Sequence, residues 1–311
     1  MLPPVTDDRL QSRRLRSWLA RSDISYGGSP DNPLAMLLRE IGRKPPDSGL
    51  AALRLWGQTG DRPTRWMAAA DPVYLEPRLD HLCLHAVDTD TIAPAELRAL
   101  MDHLQASLGQ GSDCGFGRVG PCCYVSATTP FATATLSAAA IDGCVPNEFL
   151  PTGDAAERQR QLQSEIEMAL HEHPVNLQRQ RDGLPPINSL WLWGGGRAPE
   201  RSNEAHPPLF SDDPLLGGYW ESRGASVESW PGTMARCLDA TDAGFVAVVP
   251  RRYDAPGILD EVLADLRLGL RGGKLDSLVL LFQDGMRARI RRSHVLRFWK
   301  RSRALAAPGA A

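Results

Sequence analysis

SEIEMALHEHPVNLQRQRDGLPPINSLWLWGGGR, from Ser164 to Arg197, decides the reading of the chain. A helix opening at Asp154, with Glu157 placed to close a capping box, carries Leu162, Ile166, Ala169 and Leu170 on one stripe. Pro174 ends it, since proline offers no amide hydrogen to the next turn. The remainder predicts a polar loop and then a short, tryptophan-rich strand, Ser189 to Trp193, that runs into three glycines.

Two readings of this stretch stay open. Asn176, Arg179, Arg181 and Asn188, beside the amides of Gly194, Gly195 and Gly196, are suitable groups for binding a carboxylate or phosphate, and in an open α/β sheet ligands sit beyond the carboxyl ends of the strands. Alternatively Asn176 and Asn188 satisfy backbone groups in the loop, and the glycines make only a tight turn. His171 and His173, two positions apart, fall on different helix faces, which disfavours a shared metal and leaves them as imidazoles near the negative end of a helix.

On the amino-terminal side, 62–150 reads as a small α+β unit. Arg65 to Ala69 and Asp80 to Ala86 have the mixed pattern of half-buried strands, joined through Ala70-Asp71-Pro72-Val73. Pro94 to Leu108 is an amphipathic helix opened by proline. Residues 1–61 read as a helical, basic segment in which Leu10, Leu15, Trp18 and Leu19 share a face that needs burial, most simply on the body of the protein. A second stripe, Leu34, Leu37, Leu38 and Ile41, follows the joint SYGGSPDNP.

On the carboxyl-terminal side, 151–303 reads as an α/β core. A loop from Arg197 to Tyr219 precedes a buried strand, Gly244 to Val249, a helix, Ile258 to Leu270, and a second strand, Ser277 to Phe282, which together predict a parallel crossover. Met286 to Ile290 closes a hairpin, and 304–311 reads as a disordered tail.

The chain has 311 residues, 42% hydrophobic and 23% charged, as expected of a globular protein rather than a disordered or fibrous one. Its net charge of −2 is unevenly spread. Residues 9–21 hold five arginines and 286–303 eight Arg or Lys, with no acid in either. These basic segments, 9–21 and 287–303, read either as solvated faces with long stems over apolar surface or as contacts for an acidic partner or nucleic acid. Six cysteines without a C-x-x-C pair and an amino terminus without a secretory pattern place the chain in a reducing cytoplasm. No apolar run approaches the roughly 18 residues of a membrane span. The spacings of dinucleotide and P-loop sites, serine-hydrolase elbows and zinc motifs are absent, so no catalytic residue, resident metal or cofactor is assigned.

One resemblance adds to this. His173-Pro174-Val175-Asn176, Arg179, Gly183, Pro186, Asn188, Trp193-Gly194 and Gly196 resemble the H-P-x-N…R…G…P-x-N…G-x-G segment of archaeal-type cofactor-independent phosphoglycerate mutases. From about Ala70 to Trp299 the chain is similar to proteobacterial phosphoglycerate-mutase-like proteins identified as regulatory proteins of the RpfE type. The resemblance implies an alkaline-phosphatase-like α/β sheet flanked by helices, with a smaller α+β unit. In that family a serine beside two metal ions, held by Asp and His clusters, transfers phosphate. This chain departs from it. The first 60 residues lack the family's opening Asp-Gly, Arg251 to Gly257 keeps Asp254 without a histidine, and Gln283-Asp284-Gly285 stands where the family has Asp-His. The expectation is a non-catalytic, mutase-like regulatory or interaction protein with a protein partner and a small anionic metabolite as ligand. A manganese- or zinc-dependent mutase or phosphohydrolase using His81, His85, His171, His173 and His206 is the alternative, and a partner of a nucleic-acid-processing enzyme is a third.

Overall fold

The structure, a computed structural model, describes Leu2 and residues 9–27, 32–153, 156–241, 244–250, 255, 257–283 and 285–297. The chain runs through α1 (Arg13–Ala20), β1 (Asp23–Tyr26), α2 (Pro33–Glu40) and α3 (Leu50–Thr59). Then come β2 (Trp66–Pro77), β3 (Leu82–Ala86), α4 (Pro94–Leu104), β4 (Cys114–Val119) and β5 (Cys122–Ala127). Helices α5 (Glu157–Leu170) and α6 (Pro174–Arg181) precede β6 (Ser189–Gly196), β7 (Leu209–Phe210), α7 (Pro214–Ser222) and β8 (Val227–Glu228). The last part holds α8 (Met234–Ala240), β9 (Val246–Ala247), α9 (Ile258–Gly272), β10 (Ser277–Leu281) and β11 (Met286–Arg291).

Two compact units result, one formed by Leu34–Glu200 and the other by Met1–Pro33 with Arg201–Ala311. They cut across the segments 1–61, 62–150 and 151–303 because strands from different segments pair: β2 with β6 in one unit, β1 with β11 in the other. The tail, 304–311, lies outside the described residues, as do Asp154, Asp254 and Asp284.

In the unit Leu34–Glu200, β2 is the axis. Its first half pairs antiparallel with β5 and its second half with β3, while β6 runs along it from Met67 to Val73. The strand is continuous through Ala70-Asp71-Pro72-Val73, where the sequence predicts a joint. Pro72 sits between the residues paired with β5 and those paired with β3, so its missing amide hydrogen breaks neither ladder. Alternation along the strands puts Ala68, Ala70, Leu190 and Leu192 into a core with Leu97, Leu100, Met101 and Leu104 of α4 and Leu162, Ile166 and Leu170 of α5. Helix α3 packs against β2 and β6.

The other unit holds an antiparallel sheet, β1-β11-β10, and a short parallel one, β8-β7-β9. Its core joins Leu15, Trp18 and Leu19 of α1 to Leu259, Val262, Leu263, Leu266 and Leu270 of α9 and to one face of the β10-β11 hairpin, that of Leu278, Leu280, Met286, Ala288 and Ile290. The basic amino-terminal helix therefore docks on the body, as its apolar face requires. Asp260, in the first turn of α9, accepts the amides of Gln11 and Ser12 at 2.9 and 3.0 Å and anchors the start of α1. The joint SYGGSPDNP begins in strand, since Ser25 and Tyr26 pair with Arg287 and Met286.

The parallel crossover expected between the strands flanking α9 does not form. Strand β9 is two residues long and joins β7, whereas β10 is taken by its hairpin partner β11. The loop read from Arg197 to Tyr219 contains β7 and most of α7, which opens at Pro214 with Asp213 capping the amides of Leu215 and Leu216. The mixed α/β class, with helices against sheets, is the one the sequence predicts. No helix among the described residues is long and apolar enough to cross a membrane.

Candidate functional site

The mutase-like stretch occupies α5, α6 and β6, and its polar residues turn inward. Helix α5 ends at Leu170, and Pro174, read from sequence as a stop, is the first residue of α6, where a missing amide hydrogen costs nothing. His173 is the N-cap: its Nδ1 accepts the Val175 amide at 3.3 Å. This replaces the expected place at the negative end of a helix. The predicted polar loop is largely α6, whose residues Asn-Leu-Gln-Arg-Gln-Arg give no apolar period to betray it.

Asn176 is buried, 1% exposed. Its Nδ2 donates to the carbonyls of Leu170 and Ile187 at 2.8 and 2.9 Å, and its Oδ1 accepts the Ile187 amide at 2.8 Å. One side chain thus fastens the end of α5 to the start of β6. Arg179, also buried, donates Nε to the Pro185 carbonyl at 3.0 Å and Nη1 to Glu96 Oε2 on α4 at 3.1 Å. Asn188 pairs both ways with the backbone of Leu75, accepting its amide at 2.8 Å and donating to its carbonyl at 2.9 Å. Arg181, the remaining member of the predicted set, is exposed on α6.

The glycines are equally committed. They belong to β6 and do not end it. The Gly194 amide donates to the Ala134 carbonyl at 2.8 Å and that of Gly195 to Thr133 Oγ1 at 2.8 Å, while the Gly195 carbonyl accepts from Gly49 at 3.1 Å. Their lack of side chains lets the amino-terminal end of α3 approach. At Gly194, φ +64°, a Cβ would lie 2.9 Å from Leu50 Cβ. At Gly195 it would lie 2.6 Å from the Trp66 ring.

On the face of β2 and β6 turned to α3 lies a polar cluster that the sequence does not announce. Asp71 accepts from Trp193 Nε1 at 2.6 Å, Arg54 Nη1 at 3.0 Å and the Ala138 amide at 3.4 Å. Arg54, the one charge on α3, also donates to the Tyr124 hydroxyl at 3.2 Å and the Cys123 carbonyl at 3.0 Å. Its guanidinium stands 4.8 Å from the Tyr124 ring centre and 5.4 Å from that of Trp193. Burial alone would lower the Arg54 pKa, but Asp71, Tyr124 and Cys122 together more than offset it, Asp71 foremost, and the value is raised. Burial, with Asp71 nearby, pushes the Cys123 thiol up to about 12, so it is no thiolate nucleophile. A lone arginine in the apolar run of α3 is the one signal the sequence offers for this network.

Among the described residues, His81, His171, His173 and His206 join no group of three potential metal ligands. His173 packs against His103 with ring centres 4.9 Å apart, His81 bonds Asp80 at 2.6 Å, and His171 is exposed. His206 belongs to the other unit, beside Tyr219 and Trp220. Among the described residues one group, Glu76, Cys83 and His85 on the β2-β3 hairpin, brings three potential ligand atoms within 4.8 Å of one another. The Glu76 carboxylate there is already met by His85 at 2.8 Å and by Arg78 at 2.7 Å, and these partners hold its pKa below the usual carboxylate range, the His85 hydrogen bond most of all. A cationic guanidinium on the only carboxylate, and a single half-exposed trio, do not fit a two-metal phosphoryl-transfer centre.

No family model matches the chain. It is 32% identical over 121 residues to a 2,3-bisphosphoglycerate-independent phosphoglycerate mutase of Methanothrix thermoacetophila, covering 37% of this chain and 30% of that protein. A probable 2,3-bisphosphoglycerate-independent phosphoglycerate mutase of Geobacter sulfurreducens is 41% identical over 56 residues, 18% of this chain and 14% of that one. The chain thus spans less than a third of the length of the curated relatives it matches. Among solved structures, a cofactor-independent phosphoglycerate mutase from Thermoplasma acidophilum aligns with a TM-score of 0.40 at 18% identity, covering 89% of this chain and 80% of that one. The PH0037 protein of Pyrococcus horikoshii aligns with a TM-score of 0.46 at 14% identity, covering 84% and 71%. The sequence matches show a distant similarity to the phosphoglycerate mutases over part of the chain.

Proposed function

We propose that this chain is a phosphoglycerate-mutase-like protein that acts by binding, as a regulatory or interaction protein of the cytoplasm, and not by phosphoryl transfer. One observation carries the reading: Asn176, Arg179 and Asn188, the polar residues most like those of the mutases, spend their hydrogen bonds on the protein's own backbone and on Glu96. The alkaline-phosphatase-like sheet and the RpfE-type kinship implied by the sequence belong to the same proposal, as do a protein partner and a small anionic ligand. The 32% identity to a mutase over 121 residues favours a second reading, a working manganese- or zinc-dependent mutase. Assay of purified full chain for conversion of 3-phosphoglycerate to 2-phosphoglycerate, with either metal added, separates the two. The proposal expects no turnover above the metal-only blank, and robust metal-dependent turnover would overturn it.

A further inference from the structure

The two basic segments meet in space. Within the unit formed by the chain ends, α1, α9 and the turn after β11 border a cavity of about 430 Å³, whose lining includes Arg14, Arg21, Arg267, Arg271 and Arg292 and, among the described residues, no acid. The spacing explains the convergence. Positions 14, 18 and 21 recur on one face of α1, and 267, 270 and 271 on one face of α9, so two helices present arginines to the same space. Trp18 and Leu270 supply its apolar wall, and Ser17 adds a hydroxyl.

Five guanidiniums around one opening repel one another unless an anion lies between them. Arg292 is partly balanced, with Nη2 3.2 Å from Asp276 and Nε on the Leu275 carbonyl. Arg14, Arg267 and Arg271 form no ion pair among the described residues. The pKa of Arg267 is lowered by burial first and then by the charges of Arg14, Arg271 and Arg21.

We infer that this cavity binds a small molecule carrying two or more phosphate groups. Its volume lies within the range of small-molecule pockets, roughly 300 to 1,000 Å³. Each phosphate monoester brings about −1.5 to −2 charges, so two balance the cations that lack a carboxylate. Guanidinium forks match phosphate oxygens in geometry as well as charge, and the wall of Trp18 and Leu270 accommodates the uncharged part of such a ligand. The inference goes beyond the proposed binding role and does not depend on it: mutase turnover would remove that reading and leave this site as it is.

Calorimetric titration of the full chain with inorganic pyrophosphate, inorganic phosphate and a short duplex DNA tests it. Pyrophosphate is expected to bind more tightly than phosphate and to displace any bound DNA. The double variant Arg267→Gln/Arg271→Gln is expected to weaken pyrophosphate by about tenfold or more while melting no lower than the unsubstituted protein, since like charges are removed. Arg98→Gln, exposed on α4 in the other unit, removes one charge elsewhere and is expected to leave the affinity unchanged. Failure of pyrophosphate to bind, or equal affinity in the double variant, would overturn the assignment. Binding of DNA that pyrophosphate does not displace would also overturn it and assign the surface to nucleic acid.

Discussion

Trp193 donates its indole Nε1–H to Asp71 Oδ2 at 2.6 Å, although Trp193 faces Ala69 in the β2-β6 ladder. The bond runs diagonally, two residues out of register, and reaches a carboxylate whose other oxygen is held by Arg54 of α3 at 3.0 Å. Three elements are thereby tied at one side chain.

Asp71→Ala is expected to destabilise the protein by about 3–5 kcal/mol, because it strands the Arg54 guanidinium in a dry site. Arg54→Met in the same background is expected to recover part of that loss, since the unpaired charge is then gone. Urea unfolding of the single and double variants measures both.

Gly194→Ala is expected to cost about 1–3 kcal/mol. The residue sits at φ +64°, and the new Cβ would lie 2.9 Å from Leu50 Cβ and 3.2 Å from the Ala51 amide nitrogen. The lower melting temperature should be accompanied by faster amide exchange at the start of α3, which the glycines admit to the sheet.

Acid is expected to destabilise the protein through His173. Its pKa is pushed down by burial and by His103 beside it, and its Nδ1 must stay unprotonated to cap α6. The unfolded chain therefore binds a proton more readily than the folded one. This contribution is complete above the ordinary histidine value of about 6.5 and is lost as pH falls below it. His173→Asn, which keeps a capping oxygen, should flatten the fall in melting temperature on the acid side.

Thiol labelling should follow burial. Cys123 and Cys237, both pushed up to about 12 by burial, are expected to stay unmodified by iodoacetamide in the native protein and to react on unfolding. Cys122 and Cys144 are partly exposed and should be labelled first. Peptide mapping by mass spectrometry reads the order.

How much of this was visible in the chain depends on how local the cause is. Helix α9 is legible because Leu259, Val262, Leu263, Leu266 and Leu270 all face one core, and so is the β10-β11 hairpin with its glycine turn. Helix α6 is hidden, since Asn176 and Arg179 are its only buried residues and both are polar. The crossover around α9 fails as a reading because partner choice is not local: β9 finds β7, and β10 finds β11. The predicted residues Asn176, Arg179 and Asn188 are placed by the mutase-like pattern, but only the structure shows that their partners are backbone atoms and Glu96. Arg54 and Asp71 lie 17 positions apart on different elements, and periodicity does not connect them.

The claim that the mutase-like segment serves the fold is tested most directly at Asn176. Its three hydrogen bonds join α5 to β6, and removing them leaves buried backbone groups unpaired at a cost of about 1–3 kcal/mol each. Urea unfolding of Asn176→Ala, measured beside its titration with 3-phosphoglycerate, gives the decisive pair of numbers. A large loss of stability with the phosphoglycerate titration unchanged from that of the unsubstituted protein is the expected result. A variant as stable as the parent that has lost phosphoglycerate binding would contradict the account.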